Sequence, residues 1–158
     1  MKEGSNLNNS TDQVLSVRID LITRTVDLAL RMRAAGVSRT AYAKILRETI
    51  FFVWEVGSKT KYDKTRRRSW AARGLPPAEL NYDHAIPMKI VIDQLLESGP
   101  DPVAVGRILH EMVHAVLITK NEHSKLQEKE LGNAMPSDWD GADWTARYRR
   151  AGIRLDNE

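Results

Sequence analysis

Tyr82-Asp-His-Ala-Ile-Pro87 and His114-Ala-Val-Leu-Ile-Thr-Lys-Asn-Glu-His123 are the two stretches on which the reading of this chain turns. The first follows the turn-forming Gly74-Leu-Pro-Pro-Ala, so Glu79 to His84 is expected to be a short strand that delivers Tyr82, Asp83 and His84. The second opens with β-branched and apolar residues and predicts a buried strand over His114 to Thr119. Thr119-Lys-Asn-Glu122 then has the spacing of a capping box, in which the Thr side chain accepts from the Glu122 backbone while the Glu carboxylate reaches back. A helix should therefore start at Lys120, run to about Glu130 and carry His123 in its first turn.

Between the two strands, Pro87 suits the first turn of a helix that buries Ile90, Val91, Leu95 and Leu96 and ends at Gly99. Asp101-Pro102 starts another, to about Met112. Upstream, Val14, Val17, Leu21, Ile22, Val26, Ala29 and Leu30 recur at spacings of three and four, an amphipathic helix closed by Gly36. Ser38 can cap a second helix running to about Val56, where Gly57 stops it. The junction Ala34-Ala-Gly-Val-Ser-Arg-Thr-Ala-Tyr-Ala-Lys-Ile-Leu46 also resembles the turn of helix-turn-helix proteins, although a plain hairpin or dimer surface is the simpler reading. Downstream, Met135 to Ile153 brings Trp139, Trp144, Tyr148 and Ile153 to pack as a last helix. The expected fold is α+β and mostly helical: an unstructured tail over 1–12, a helical hairpin over 13–58, and a catalytic module with inserted helices over 59–158.

With 42% hydrophobic and 28% charged residues, the composition suits a packed core and lies far from that of disordered chains. The absence of cysteine excludes disulfides and thiolate metal sites, which leaves His, carboxylate and amide ligands. No run approaches the roughly 20 apolar residues that cross a bilayer, and Met1 to Asp12 lacks an apolar signal core. A cytoplasmic protein without a membrane partner is the expectation.

Charge is unevenly spread. Lys59, Lys61, Lys64, Arg66, Arg67, Arg68 and Arg73 face a single acid, Asp63, so this segment alone outweighs the chain's net charge of +3. Interleaved with Tyr62 and Trp70, it is suited to tracking a phosphate backbone.

The order strand with Asp83-His84, inserted helices, strand ending at Thr119, capped helix with His123 resembles the HNH (ββα-metal) endonucleases over about residues 62–131. Asp83-His-Ala-Ile-Pro87 fits the family's Asp-His-x-x-Pro, and Leu117-Ile-Thr-Lys-Asn-Glu-His123 fits its apolar-apolar-Thr-x-x-x-His. The resemblance implies hydrolysis of DNA, with His84 as general base and Asp83 and His123 as metal ligands. Arg66, Arg67, Arg68 and Lys64 of the basic segment, with Lys89, are the candidate nucleic-acid contacts. A histidine, with an ordinary pKa of about 6.5, suits the base role. An oxygen-and-imidazole set suits Mg²⁺ or Mn²⁺, with Zn²⁺ as an alternative. Gln127 stands where colicin-type members have another His, and Asn121 is the nearest counterpart of the family's Asn, so both are candidates for an extra ligand or a supporting role. On an ordinary strand Asp83 and His84 point to opposite sides, and a twist or bulge is needed for them to converge.

A rival lies in His110-Glu111-Met-Val-His114, a His-Glu-x-x-His sequence. On one helix its two imidazoles would share a zinc ion with Glu111 as the base of a metallopeptidase, with His123 or Glu128 as third ligand. A third reading is a DNA-binding or inhibitor protein with a degenerate HNH fold. A homodimer through the N-terminal helices is a further expectation.

Overall fold

The computed structural model of the protein describes residues 4–57 and 59–156. It is a mixed α+β structure, mostly helical, with a small two-stranded antiparallel sheet. The chain divides into two compact units, one holding the residues up to Gly57 together with Ile92–Arg107, and the other the rest. The helical hairpin therefore does not stand alone, as its sequence suggested, but takes in the middle of the inserted helices.

In the first unit, α1 (Gly4–Ala34) and α2 (Arg39–Thr49) pack together, and a π-helical stretch (Ile50–Val56) prolongs α2. Residues 4–12 continue α1 and are helical, in contrast to the unstructured tail expected there; residues 1–3 lie outside the described residues. Gly36 takes the left-handed conformation (φ 79°) that closes a helix without a Cβ clash. Ser38 sits at the N-cap of α2 but makes no side-chain cap hydrogen bond. Gly57 lies against the Arg18 guanidinium, so the second arm runs back along α1 for most of its length. That is a hairpin rather than the steep crossing of a helix-turn-helix. Buried on its arms are Ile22, Val26, Ala29, Tyr42, Leu46 and Ile50.

The inserted helices are α3 (Met88–Ser98) and α4 (Pro102–Met112). The Asp101 carboxylate accepts from the backbone of Val103 and Ala104 at 3.2 and 3.4 Å, which caps the orphan amides of α4. In the second unit a single 3₁₀ turn, Pro77–Glu79, feeds β1 (Leu80–His84), which pairs with β2 (Ala115–Thr119) from Leu80↔Thr119 to His84↔Ala115. Arg68 and Ser69 run along the far side of β2: Leu117 donates to the Arg67 carbonyl and Ser69 donates to that of Leu117.

Alternation gives the sheet two unlike faces. Leu80 and Leu117 pack with Ala72, Tyr62, Leu75 and Tyr82 on one. Ala85, Val116 and Ile118 pack on the other, under α5 (Lys120–Glu128) and α6 (Ala146–Ala151), with Leu126, Leu131, Tyr148 and Ile153. The predicted tail helix over Met135 to Ile153 is confined to α6. Asp140 and Asp143 each accept from backbone amides two or three residues on, and Gly141 has φ 84°, so this stretch is a run of turns.

Candidate functional site

β1 delivers Asp83 and His84 in regular register, without the bulge that would turn both to one side. Asp83 shares its face with Ala85 and Val116 and is buried there. Its Oδ2 is held twice: Tyr148 donates its hydroxyl at 2.7 Å, and Arg147 donates from its guanidinium. Arg147, itself 1% exposed, also donates to the carbonyls of His84 (2.6 Å), Leu131 (2.8 Å) and Gly132 (3.0 Å). It therefore ties the end of β1 to the loop after α5. Burial, and then the Asp83 charge beside it, push the Tyr148 hydroxyl well above its ordinary range, so it stays a protonated donor.

The capping box forms as expected. The Thr119 hydroxyl accepts from the Glu122 amide at 3.1 Å, and Glu122 Oε2 accepts from the Thr119 amide at 2.8 Å. The same oxygen takes a 2.6 Å hydrogen bond from Ser69, so Glu122 is a buried brace between α5 and the Arg68–Ser69 segment. With α5 pinned in this way, His123 lies one turn before fully buried Leu126, on the side that packs against the strands. Its Nδ1 is buried without a hydrogen-bond partner, and its Nε2 lies 3.2 Å from the Gln127 amide. A Cβ on Gly132 would come within 3.0 Å of that amide, so glycine is what lets Gln127 lie there. His123, Gln127, Gly132, Arg147 and Asp83 thus form one connected set.

These groups meet the chemistry of a divalent cation in part. An imidazole nitrogen buried without a partner is costly unless something binds it. If the Gln127 amide is turned over, its oxygen accepts from Nε2–H and the Nδ1 lone pair is left for a cation, the supporting role expected of that residue. Asp83 offers a carboxylate whose Oδ2 is already committed. Among the described residues, no group of three or more His, Cys, Asp or Glu side chains is arranged to hold a metal. Asn121 is exposed and lines a cleft at the start of α5 with Lys120, Lys125 and Glu79, so the structure does not bring it to this cluster.

His84 is half-buried on the opposite face, edge-on to Tyr82 at 5.6 Å between ring centres. Lys61 and Arg66 lie over the Tyr82 ring at 5.6 and 5.3 Å. The arginine run is split by the pleat. Arg66 belongs to the His84 side. Arg67 lies over Trp144 and reaches His114 Nδ1 at 2.9 Å, while Arg68 folds back on the carbonyls of Asp63, Lys64 and Arg66 and braces its own turn. Lys64 and Lys89 are exposed.

The His-Glu-x-x-His sequence is broken. α4 ends at Met112 and β2 begins at Ala115, so His110 and His114 are not one turn apart on a helix. The apolar, β-branched run after His114 is drawn into the sheet, and the paired imidazoles of a zinc peptidase are lost. His114 is engaged instead at both nitrogens, by Arg67 and by the Glu111 carbonyl at 2.9 Å, and stacks on Trp144 at 4.7 Å. Desolvation, with a smaller contribution from the Arg67 charge, holds its pKa below the usual histidine range.

Arg147 was not singled out from sequence, although a signal was present: Trp144, Arg147, Tyr148 and Ala151 occupy one helical stripe, which puts an arginine among core residues. No family model, no curated protein and no solved structure matches this chain.

Proposed function

We propose that the chain is an HNH-type endonuclease that hydrolyses DNA with the help of a divalent cation. The observation that carries this reading is the buried, partnerless Nδ1 of His123 on a capped helix packed against the strand that bears Asp83. An antiparallel strand pair followed by such a helix agrees with the order of elements in that family, and the basic, aromatic surface beside His84 supports a phosphate ligand.

His123 Nδ1 and Asp83 would hold the cation, with Gln127 orienting the imidazole and Arg147 and Tyr148 fixing the carboxylate. When bound, the cation supplies charge neutralisation on the phosphate and on the leaving oxygen. His84 takes the proton from the attacking water as the oxygen–phosphorus bond forms and the bond to the leaving sugar oxygen breaks. Arg66 and Lys61 hold the backbone phosphate by charge. Because Asp83 and His84 face opposite sides of β1, the substrate must lie across the end of the strand.

A second reading is favoured by one observation: Arg147 already neutralises Asp83, which suits a nucleic-acid-binding protein that needs no metal. A metal-resolved assay on plasmid DNA separates the two. The nuclease nicks with Mg²⁺ or Mn²⁺, loses activity with chelator, and in His84→Ala loses nicking while DNA binding remains. Salt-sensitive binding without cleavage in any metal overturns the nuclease and leaves the binding module.

A further inference from the structure

The backbone pairing continues beyond β2. Arg68 is the register partner of Leu117, which is itself the partner of Tyr82, so these three share one side of the sheet, the side of His84. Ser69, paired with Leu155, points the other way, to Glu122. Trp70 and Arg154 flank that bridge and are joined by a 2.9 Å backbone hydrogen bond, so they return to the side of His84. With strands about 4.8 Å apart and residues about 3.3 Å apart along them, Trp70 stands about 16 Å from His84.

Trp70 is 45% exposed, yet the turn beneath it is fixed: Ser69 Oγ accepts from the Ala72 amide at 3.2 Å, and both residues are fully buried. Two guanidinium groups lie over the indole, those of Arg73 and Arg154, at 3.7 and 4.6 Å from its centre. Arg73 is paired with Asp156, whereas Arg154 has no carboxylate partner among the described residues. An open ring with a free positive charge beside it suits a ligand that is flat, aromatic and anionic, which is a nucleotide. A neutral apolar partner would leave the Arg154 charge covered and unmatched. An intact duplex keeps its base faces within its own stack and would offer the ring only backbone.

We propose that Trp70 stacks on an unpaired base of a DNA strand whose phosphate Arg154 holds, a few nucleotides from the phosphate at His84, so that the ligand is single-stranded or locally unpaired DNA. This rests on the proposed function for the phosphate at His84, but the stacking itself needs neither metal nor cleavage. Fluorescence anisotropy in chelator, with a labelled oligo-dT and a duplex of equal length, tests it apart from catalysis. The native chain should bind the single strand more tightly than the duplex. Trp70→Ala should weaken the single strand about tenfold and the duplex by less than about twofold, and Trp70→Tyr should restore most of the loss. Arg154→Gln should lower the logarithmic salt slope by about 0.7. An abasic strand should bind the native chain and Trp70→Ala alike. A single strand indifferent to Trp70→Ala overturns the stacking alone, even where plasmid nicking persists. An equal loss on the abasic strand overturns it too, because the ring would then serve only to order the arginines. Polyglutamate that competes as well as the oligonucleotide would make this an acidic-protein surface instead. Failure to bind either form of DNA removes this proposal and the nuclease reading together.

Discussion

Replacing Arg147 with Met tests whether the cluster at the end of β1 is organised by charge or merely by packing. Met is close in length and apolar, so the change removes the guanidinium while leaving the space largely filled. Asp83 would then keep a charge behind a side chain only 10% exposed, with the Tyr148 hydroxyl as its remaining donor. Removing one partner of a buried ion pair costs about 3–5 kcal/mol. The carbonyls of His84, Leu131 and Gly132 lose their donor as well, for a further loss of about 1 kcal/mol or more. Against a typical stability of about 5–15 kcal/mol, such a loss is large. Asp83→Asn alone should also be costly, since it leaves the Arg147 charge without its counter-ion. In the double variant both charges are gone, so its cost should fall short of the summed single costs by about 2 kcal/mol or more. Urea unfolding of the four proteins measures this, with the denaturant slope checked for constancy. A loss below about 1 kcal/mol in Arg147→Met, or strict additivity in the double variant, would refute the view that this pair organises the site.

Two pH dependences follow from the same geometry. Tyr148 is held protonated when folded but ionises normally when unfolded. The stability it contributes is therefore complete below about pH 10 and declines above it, by up to about 1.4 kcal/mol per pH unit. Tyr148→Phe should show a shallower alkaline decline in thermal unfolding; an unchanged slope would count against the buried hydroxyl as its source. His114 is shifted the other way, so its contribution is present above about pH 6.5 and is lost as pH falls toward its lowered folded value. His114→Gln should flatten that acid limb between pH 7 and 5, and an identical limb would show that His114 does not titrate on unfolding.

Much of the fold was legible in local patterns because their causes are local. The β-branched run after His114, the Thr119–Glu122 capping box, the proline starts of the inserted helices and the glycine stops at Gly36 and Gly99 act over a few residues, and each element appears where those signals lie. The same logic misled where a weak local signal met a stronger one. Polar residues 4–12 joined the helix that follows them, and the turn residues between Met135 and Thr145 cut the expected tail helix down to α6.

What only the tertiary structure decided is which side chains meet. Asp83 and Arg147 lie 64 residues apart in the sequence, and nothing local to either says that one will neutralise the other. Nor does any spacing announce that Gly132 makes room for the Gln127 amide, that Ser69 braces Glu122, or that the arginine run is divided between two faces. Sequence determined the elements because helix and strand are set by neighbours along the chain. The candidate site was decided by the tertiary structure because buried charges and unmatched polar atoms take their partners from whatever the packing brings within hydrogen-bonding distance.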